Sequence, residues 1–308
     1  DDAFNELKII VQHLIDRNYR DDIDPSHSFN EKVIRLANLY RGRLISLVTN
    51  WMRVGYCQGN FNSDNCAAGG FTLDYGPFGF CELFDPRFQP WTGGGEHFSF
   101  FNQPFAAEIN FKMFCSSLLP LLLENKEDIE KLEKIKNDFS KFMSKEMQLM
   151  WAKKLGLEKY DETLTNELFN LMVNSKVDFS IFFRKLSHIP ENISFLKDSF
   201  YLPSSEELDK KWFIWLKKWQ DCINKQGDLK EISKSMKQVN PKFTWREWMI
   251  VPAYQEAEEG NYNKIKELQT IFKNPYEEDS LELEQKYNRL RPREFFNKGG
   301  VSHYSCSS

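Results

Sequence analysis

Apolar and polar positions alternate along most of the chain with the spacing of an α-helix. Leu7, Ile10, Val11, Leu14 and Ile15 recur at intervals of three and four and predict a helix over residues 6–15. Val33, Ile34, Leu36, Ala37, Leu39, Leu44, Ile45, Leu47, Val48 and Trp51 predict a second over 31–55, stopped by Gly55. From Phe105 onward the same period predicts helices over 105–123, 126–154, 161–174, 178–188, 204–225, 227–237, 244–258 and 261–272. Val239-Asn240-Pro241 and Asn274-Pro275 mark boundaries among them. Trp212, Trp215, Trp219, Trp245 and Trp248 sit at helical spacings, the signature of a packed core more than of a binding platform. The tail after Pro292 reads as extended. Residues 56–104 break the pattern, with eight of the fifteen glycines, many aromatics and no helical period. Long irregular segments inside compact domains usually carry function. The expected fold class is therefore mainly α with a small β-hairpin segment. Two parts are expected: residues 1–190, which contain the irregular loop 56–104, and a helical extension over 191–308.

Composition narrows the functional classes. Of 308 residues 41% are hydrophobic and 15% aromatic, enough for a sizeable core. The net charge of −4, with Lys and Glu mixed along the helices, argues against nucleic acid as a partner. The strongest uninterrupted apolar run, Leu118–Leu123, is too short for a membrane span and contains Pro120. The six cysteines form no Cys-x-x-Cys pair, so zinc-type spacing is absent and buried reduced thiols are expected. Cys306, third from the end in a Ser-Cys-Ser-Ser tail, is the exception and a candidate redox group. The chain opens at Asp1, without Met and almost inside a helical pattern, which predicts a further segment upstream and leaves the compartment open.

Candidate chemistry concentrates in Asn62-Ser63-Asp64-Asn65-Cys66-Ala67-Ala68-Gly69-Gly70-Phe71-Thr72-Leu73-Asp74-Tyr75-Gly76. Gly69-Gly70 between strand-compatible runs reads as a two-residue hairpin turn. In that register Ala68 faces Phe71, Cys66 faces Leu73, and Asn65 stands opposite Asp74. An amide oxygen beside a carboxylate suits Mg²⁺, which takes oxygen ligands and keeps phosphates and water in its shell. Protein kinases hold their metal with an Asn and the Asp of an Asp-Phe-Gly-type motif, and Asp74-Tyr75-Gly76 differs from that motif only in Tyr for Phe. Asp64 is placed to accept a proton from an attacking hydroxyl. An ordinary polar turn, with Asp and Asn capping backbone groups, explains the same residues. A calcium-loop reading of Asn60, Asn62 and Asp64 fails, because Asn65 stands where Gly is needed and Phe71 where Glu is needed.

A longer set of strings resembles the selenoprotein O family. These are Trp51-Met52-Arg53-Val54-Gly55, Asn62-Ser63-Asp64-Asn65, Thr72-Leu73-Asp74-Tyr75-Gly76-Pro77-Phe78-Gly79-Phe80, Phe84-Asp85-Pro86 and Asn102-Gln103-Pro104. Downstream, Lys154-Leu155-Gly156-Leu157, Asp178 to Arg184, Val239 to Lys242, Asn274-Pro275-Tyr276 and the Ser305 to Ser308 terminus follow in the family's order. The resemblance implies a protein-kinase-like C-lobe followed by a helical extension. It implies transfer of AMP from ATP to Ser, Thr or Tyr hydroxyls of protein substrates, with Mg²⁺ or Mn²⁺ and release of pyrophosphate. Asp64 is then the proton acceptor, Asn65 and Asp74 the metal ligands, and Asp74 also an ATP contact. Cys306 falls where some members carry selenocysteine. Gln58 departs from the family's His, which predicts altered loop packing, and Gly93-Gly94-Gly95 departs from a more polar stretch. The N-lobe that grips ATP would lie upstream of residue 1, so the chain alone is not expected to turn over ATP. Conventional phosphotransfer and a non-catalytic pseudokinase module remain the alternatives.

Overall fold

The computed structural model describes residues 2–91, 94–278 and 281–296. Twelve α-helices and one two-stranded sheet account for its regular structure among these residues. The helices are α1 Asp2–Asn18, α2 Phe29–Val54, α3 Gln103–Leu118, α4 Lys126–Asn137, α5 Phe139–Lys154, α6 Glu162–Asn174, α7 Phe179–Leu186, α8 Glu206–Asn224, α9 Leu229–Val239, α10 Glu247–Glu258, α11 Asn263–Lys273 and α12 Leu281–Tyr287. The pattern over 126–154 divides into α4 and α5 at Asp138, where ψ relaxes to −6° and one turn opens. Backbone contacts group the chain into two compact units. One comprises Asp1–Asn50, Asn60–Tyr75 and Asn102–Met147, and the other Trp51–Gly59, Gly76–Phe101 and Gln148–Ser308.

In the first unit the apolar stripe of α2 supplies Val33, Leu36, Tyr40, Leu44 and Val48, all at most 2% exposed. Tyr40 meets Phe114 edge-on at 4.7 Å, and Phe111 stacks on Phe139 at 4.9 Å, so α2, α3 and α5 share one aromatic seam. One stretch, Phe100–Leu122, is long and apolar enough by composition to cross a membrane. Counting uninterrupted apolar residues misses it, because Glu108 and Lys112 interrupt the run; these pair with each other at 2.7 Å. Within it Phe111, Cys115 and Leu118 are buried in the protein.

The second unit contains the sheet. β1 (Tyr56–Cys57) pairs antiparallel with β2 (Gly79–Phe80), Tyr56 opposite Phe80 and Cys57 opposite Gly79. Gly55, at φ +79°, ends α2, and a Cβ there would lie 2.9 Å from the Phe179 ring. Of the five tryptophans at helical spacing, Trp212, Trp215, Trp219 and Trp248 are core, whereas Trp245, which precedes α10, is 39% exposed. Trp212, Trp215 and Trp219 are fully buried, and their indole N–H groups donate to Ser175 Oγ, Leu164 O and Leu155 O.

A buried ionic network organises this unit. Asp178 caps α7 by accepting from the Ile181 N–H at 3.0 Å. The same carboxylate accepts both Arg246 amino groups, at 2.7 and 2.9 Å, and the Tyr201 hydroxyl at 3.0 Å. Glu82 takes the weaker share: Arg246 at 3.4 Å, Arg291 at 3.3 Å and the Trp248 indole at 2.8 Å. Burial therefore outweighs attraction at Glu82 and pushes its carboxyl up to about 7. Lys154, also buried, is held by carbonyl-type oxygens: Arg53 O and Asn240 Oδ1, each at 2.8 Å. Its ammonium lies 4.1 Å from the Phe183 ring centroid. Asn240 returns a bond to Lys154 O at 3.0 Å, so the end of α5 and the end of α9 are tied reciprocally.

Removing Asp178 strands the Arg246 charge in the interior. Asp178→Ala is expected to cost about 3–5 kcal/mol, while Glu207→Ala, which deletes an exposed ion pair with Lys211, leaves the melting temperature unchanged. Glu82 binds its proton more tightly folded than unfolded. Its contribution is therefore complete below about pH 4.5 and lost as pH rises through about 7. Chemical denaturation from pH 5 to 8 checks this: Glu82→Gln should flatten the wild-type decline across that window.

Candidate active site

The polar segment Asn60–Tyr75 lies within the first unit. Residues Ser63–Asn65 form one 3-10 turn, closed by Asn65 N–H to Asn62 O at 3.0 Å and Cys66 N–H to Ser63 O at 3.3 Å. The Asn60 carbonyl accepts the Asn65 side-chain NH₂ at 3.2 Å. Beyond Cys66 the chain reverses. Gly70 N–H bonds Ala67 O at 2.9 Å, and a bridge pairs Cys66 with Thr72.

That pairing corrects the expected register by one residue. A two-residue turn at Gly69-Gly70 would pair Cys66 with Leu73 and set Asn65 against Asp74. Instead Gly70 alone takes the left-handed backbone, at φ +75°, while Gly69 does not. The loop is thus the three-residue kind, a tight turn closed by a glycine bulge. A one-residue slip exchanges the faces of a strand. Asp64 and Asp74, rather than Asn65 and Asp74, now lie at equal offsets from the bridge. The bridge is single, because the 3-10 turn at Ser63–Asn65 ends the ladder.

Why the bulge sits at Gly70 follows from what it touches. A Cβ on Gly70 would stand 2.4 Å from Arg43 Cβ, so only glycine lets the loop reach α2. Arg43 donates to Gly69 O at 3.2 Å and Asn18 O at 2.9 Å, pairs with Asp22 at 2.6 Å, and lies 4.0 Å over the Tyr19 ring. The Tyr19 hydroxyl donates to Ala68 O at 2.6 Å, and burial pushes that phenol up to about 12. The Tyr40 hydroxyl and Cys66 Sγ are 3.2 Å apart, and Asn110 donates to Phe61 O at 2.9 Å. Helices α2 and α3, with Tyr19 just after α1, therefore clamp the hairpin along its length. None of these anchors is near the motif in sequence, so no local pattern points to them.

Asp64 is exposed, and Asn65 and Asp74 are half-buried. Phe71, Leu73 and Tyr75 alternate with Thr72 and Asp74 and are about half exposed, at 48%, 51% and 56%. Cys66, beside Asn65, is no candidate nucleophile, since burial raises its thiol above the ordinary range. Among the described residues no group of three or more His, Cys, Asp or Glu is arranged to hold a metal. Cys306, the redox candidate, lies outside the described residues, as does Gly93.

In the second unit, Gln58 is buried and accepts the Tyr56 hydroxyl at 2.6 Å. Gly59, at φ +79°, brings the backbone so close that a Cβ would meet Pro77 O at 2.5 Å. His97 is exposed on the 3-10 turn Glu96–Phe98.

Fold and site together define a helical protein that presents an Asp-Asn turn and a second Asp from one clamped hairpin, an arrangement suited to oxygen-ligand and proton-transfer chemistry. The family described as "Protein adenylyltransferase SelO" matches residues 2–273, and the chain belongs to that family. Among curated proteins it is 31% identical to protein nucleotidyltransferase YdiU of Aromatoleum aromaticum, over 86% of this chain and 52% of that protein. The corresponding protein of Flavobacterium johnsoniae is 31% identical over 99% and 60% of the two chains, and that of Clostridium beijerinckii 33% over 89% and 54%. The chain thus spans about half to three fifths of the length of these relatives.

The hairpin geometry depends on Gly70. Gly70→Ala places an L side chain in left-handed backbone, at about 1–2 kcal/mol, and adds the contact with Arg43. Thermal unfolding of Gly70→Ala and Gly70→Asn separates the two effects. Asn tolerates the dihedral but keeps the Cβ, so both variants should fall together. Recovery in the Asn variant would show that the backbone angle, not the approach to α2, is limiting.

Proposed function

We propose that the chain is the metal- and acceptor-side part of a protein nucleotidyltransferase that moves AMP from ATP onto Ser, Thr or Tyr hydroxyls of other proteins. Residues 1–190 then correspond to a kinase-like C-lobe and 191–308 to its helical extension. The observation that carries this reading is the clamped hairpin, whose Cys66–Thr72 bridge joins the Ser63–Asn65 turn to the segment holding Asp74, in a chain of this family.

The family resemblance makes Asn65 and Asp74 the residues that would hold a hard divalent cation, though the observed register does not set them directly opposite each other. The NH₂ of Asn65 is committed to the Asn60 carbonyl, which leaves its amide oxygen for a cation, and Asp74 supplies a carboxylate. Two protein oxygens suffice for Mg²⁺ or Mn²⁺, whose remaining positions take phosphate oxygens and water. When bound, the cation supplies charge compensation to the phosphates. Asp64, exposed and next to Asn65, takes the proton of the acceptor hydroxyl as its oxygen attacks the α-phosphorus. The bond from that phosphorus to the bridging oxygen breaks, and pyrophosphate leaves with the electron pair. The clamp from α2 and α3 holds the two aspartates on a rigid support, so little reorganisation is needed during transfer.

The test uses a protein of the relatives' full length carrying this sequence, incubated with ATP labelled at the α or the γ phosphate. Label should reach protein from the α position only. Asp64→Ala and Asp74→Ala should each lower the rate by about 10²–10⁴-fold. Label arriving only from the γ position would overturn the reading in favour of ordinary phosphotransfer.

A further inference from the structure

The second unit carries a basic groove that shares no residue with the hairpin. A cavity of about 830 Å³ is lined by His188, Ile189, Lys230, Lys234, Lys237 and Tyr276. Lys230, Lys234 and Lys237 fall at i, i+4 and i+7 on α9, so three ammonium groups share one helix face, and of these only Lys237 is offset by an ion pair, with Glu278, among the described residues. The lining contains a single carboxylate, Glu277. Neither Lys230 nor Lys234 makes an ion pair among the described residues, and both are exposed.

At its edge the protein already holds an oxyanion. The Glu278 carboxylate receives Arg184 at 2.8 Å, Lys242 at 3.0 Å and Lys237 at 3.2 Å, with His188 Nε2 at 3.9 Å. Arg184 and Lys242 are 2% and 1% exposed, so these two cations are built into the interior and not draped on the surface. Burial opposes ionisation of Glu278, yet the Lys242 hydrogen bond and the Arg184 charge hold its carboxyl at about 2. Burial, together with Lys237 and Arg184, pushes the His188 imidazole below its ordinary range, as a positive surround should. Strain marks the same rim. Ile189 is β-branched and precedes Pro190, two features that disfavour left-handed backbone, but it sits at φ +52°. Such outliers persist where the surrounding structure enforces them, commonly at ligand clamps.

We propose that this groove is a binding site for a soluble polyphosphate anion, held by Lys230, Lys234 and Lys237. Three lysines at helical spacing match a chain of linked phosphates better than a single phosphate, since ammonium groups bind phosphate as point charges and several must be met at once. The inference is independent of the AMP-transfer reading, because it uses none of the hairpin residues.

Calorimetric titration of the full chain with tripolyphosphate, at low salt and without divalent cation, tests it. Saturable binding is expected. The double variant Lys230→Gln, Lys234→Gln should weaken it about tenfold or more with an unchanged melting curve, while Asp74→Asn should bind like the parent. Glu278→Gln should tighten binding, since it removes the competing carboxylate. Two results overturn the proposal: no saturable binding, or equal binding by the lysine double variant. Vesicles carrying a phosphoinositide form the parallel arm, and binding there with none to tripolyphosphate overturns the assignment to a soluble ligand.

Discussion

The pairing of Asp178 with Arg246 is the interaction on which the second unit depends. An aspartate with no exposed surface is tolerable only if every lone pair is used. Here one carboxylate caps α7, accepts an arginine fork and receives a tyrosine hydroxyl. It therefore binds the start of α7 to Arg246, just before α10, and to the segment that follows the 3-10 turn Lys197–Ser199. Because Arg246 gives its better geometry to Asp178, Glu82 keeps only partial compensation and its carboxyl rises toward neutrality. Buried ion pairs contribute little net stability but penalise wrong partners heavily.

The first unit solves a different problem, which is to hold a short polar hairpin still. Hairpins of a few residues are marginal in water alone. This one borrows rigidity from α2 and α3 through Arg43, Tyr40 and Asn110, and from Tyr19, with Gly70 permitting the close approach. The apolar residues that alternate with Asp74 are left about half exposed. The chain belongs to the SelO family, and the clamp gives a physical reason for its polar hairpin to keep one geometry.

Charge is distributed differently in the two settings. The hairpin presents carboxylates, whereas the α9 groove presents lysines. Both rest on rigid helices, as binding constellations generally must.

Much of this was legible in the residues themselves. Helical periodicity located eleven of the twelve described helices to within a few residues, α4 and α5 as one stretch, because a 3.6-residue apolar stripe is a local property of the chain; α12, short and with little apolar pattern, was missed. The tryptophan stripe of α8 read as core for the same reason. The Asp64, Asn65 and Asp74 cluster was visible as a motif, and Gly69-Gly70 as a reversal. Tertiary contact decided the rest. Whether two glycines form a two-residue or a three-residue loop turns on which of them must approach Arg43 on α2, and that contact is remote in sequence. The division of Arg246 between Asp178 and Glu82, and the convergence of Arg184, Lys237 and Lys242 on Glu278, join residues tens of positions apart. Local sequence specifies which groups are available. Only the packed chain sets their distances, and electrostatic and metal chemistry depend on distance.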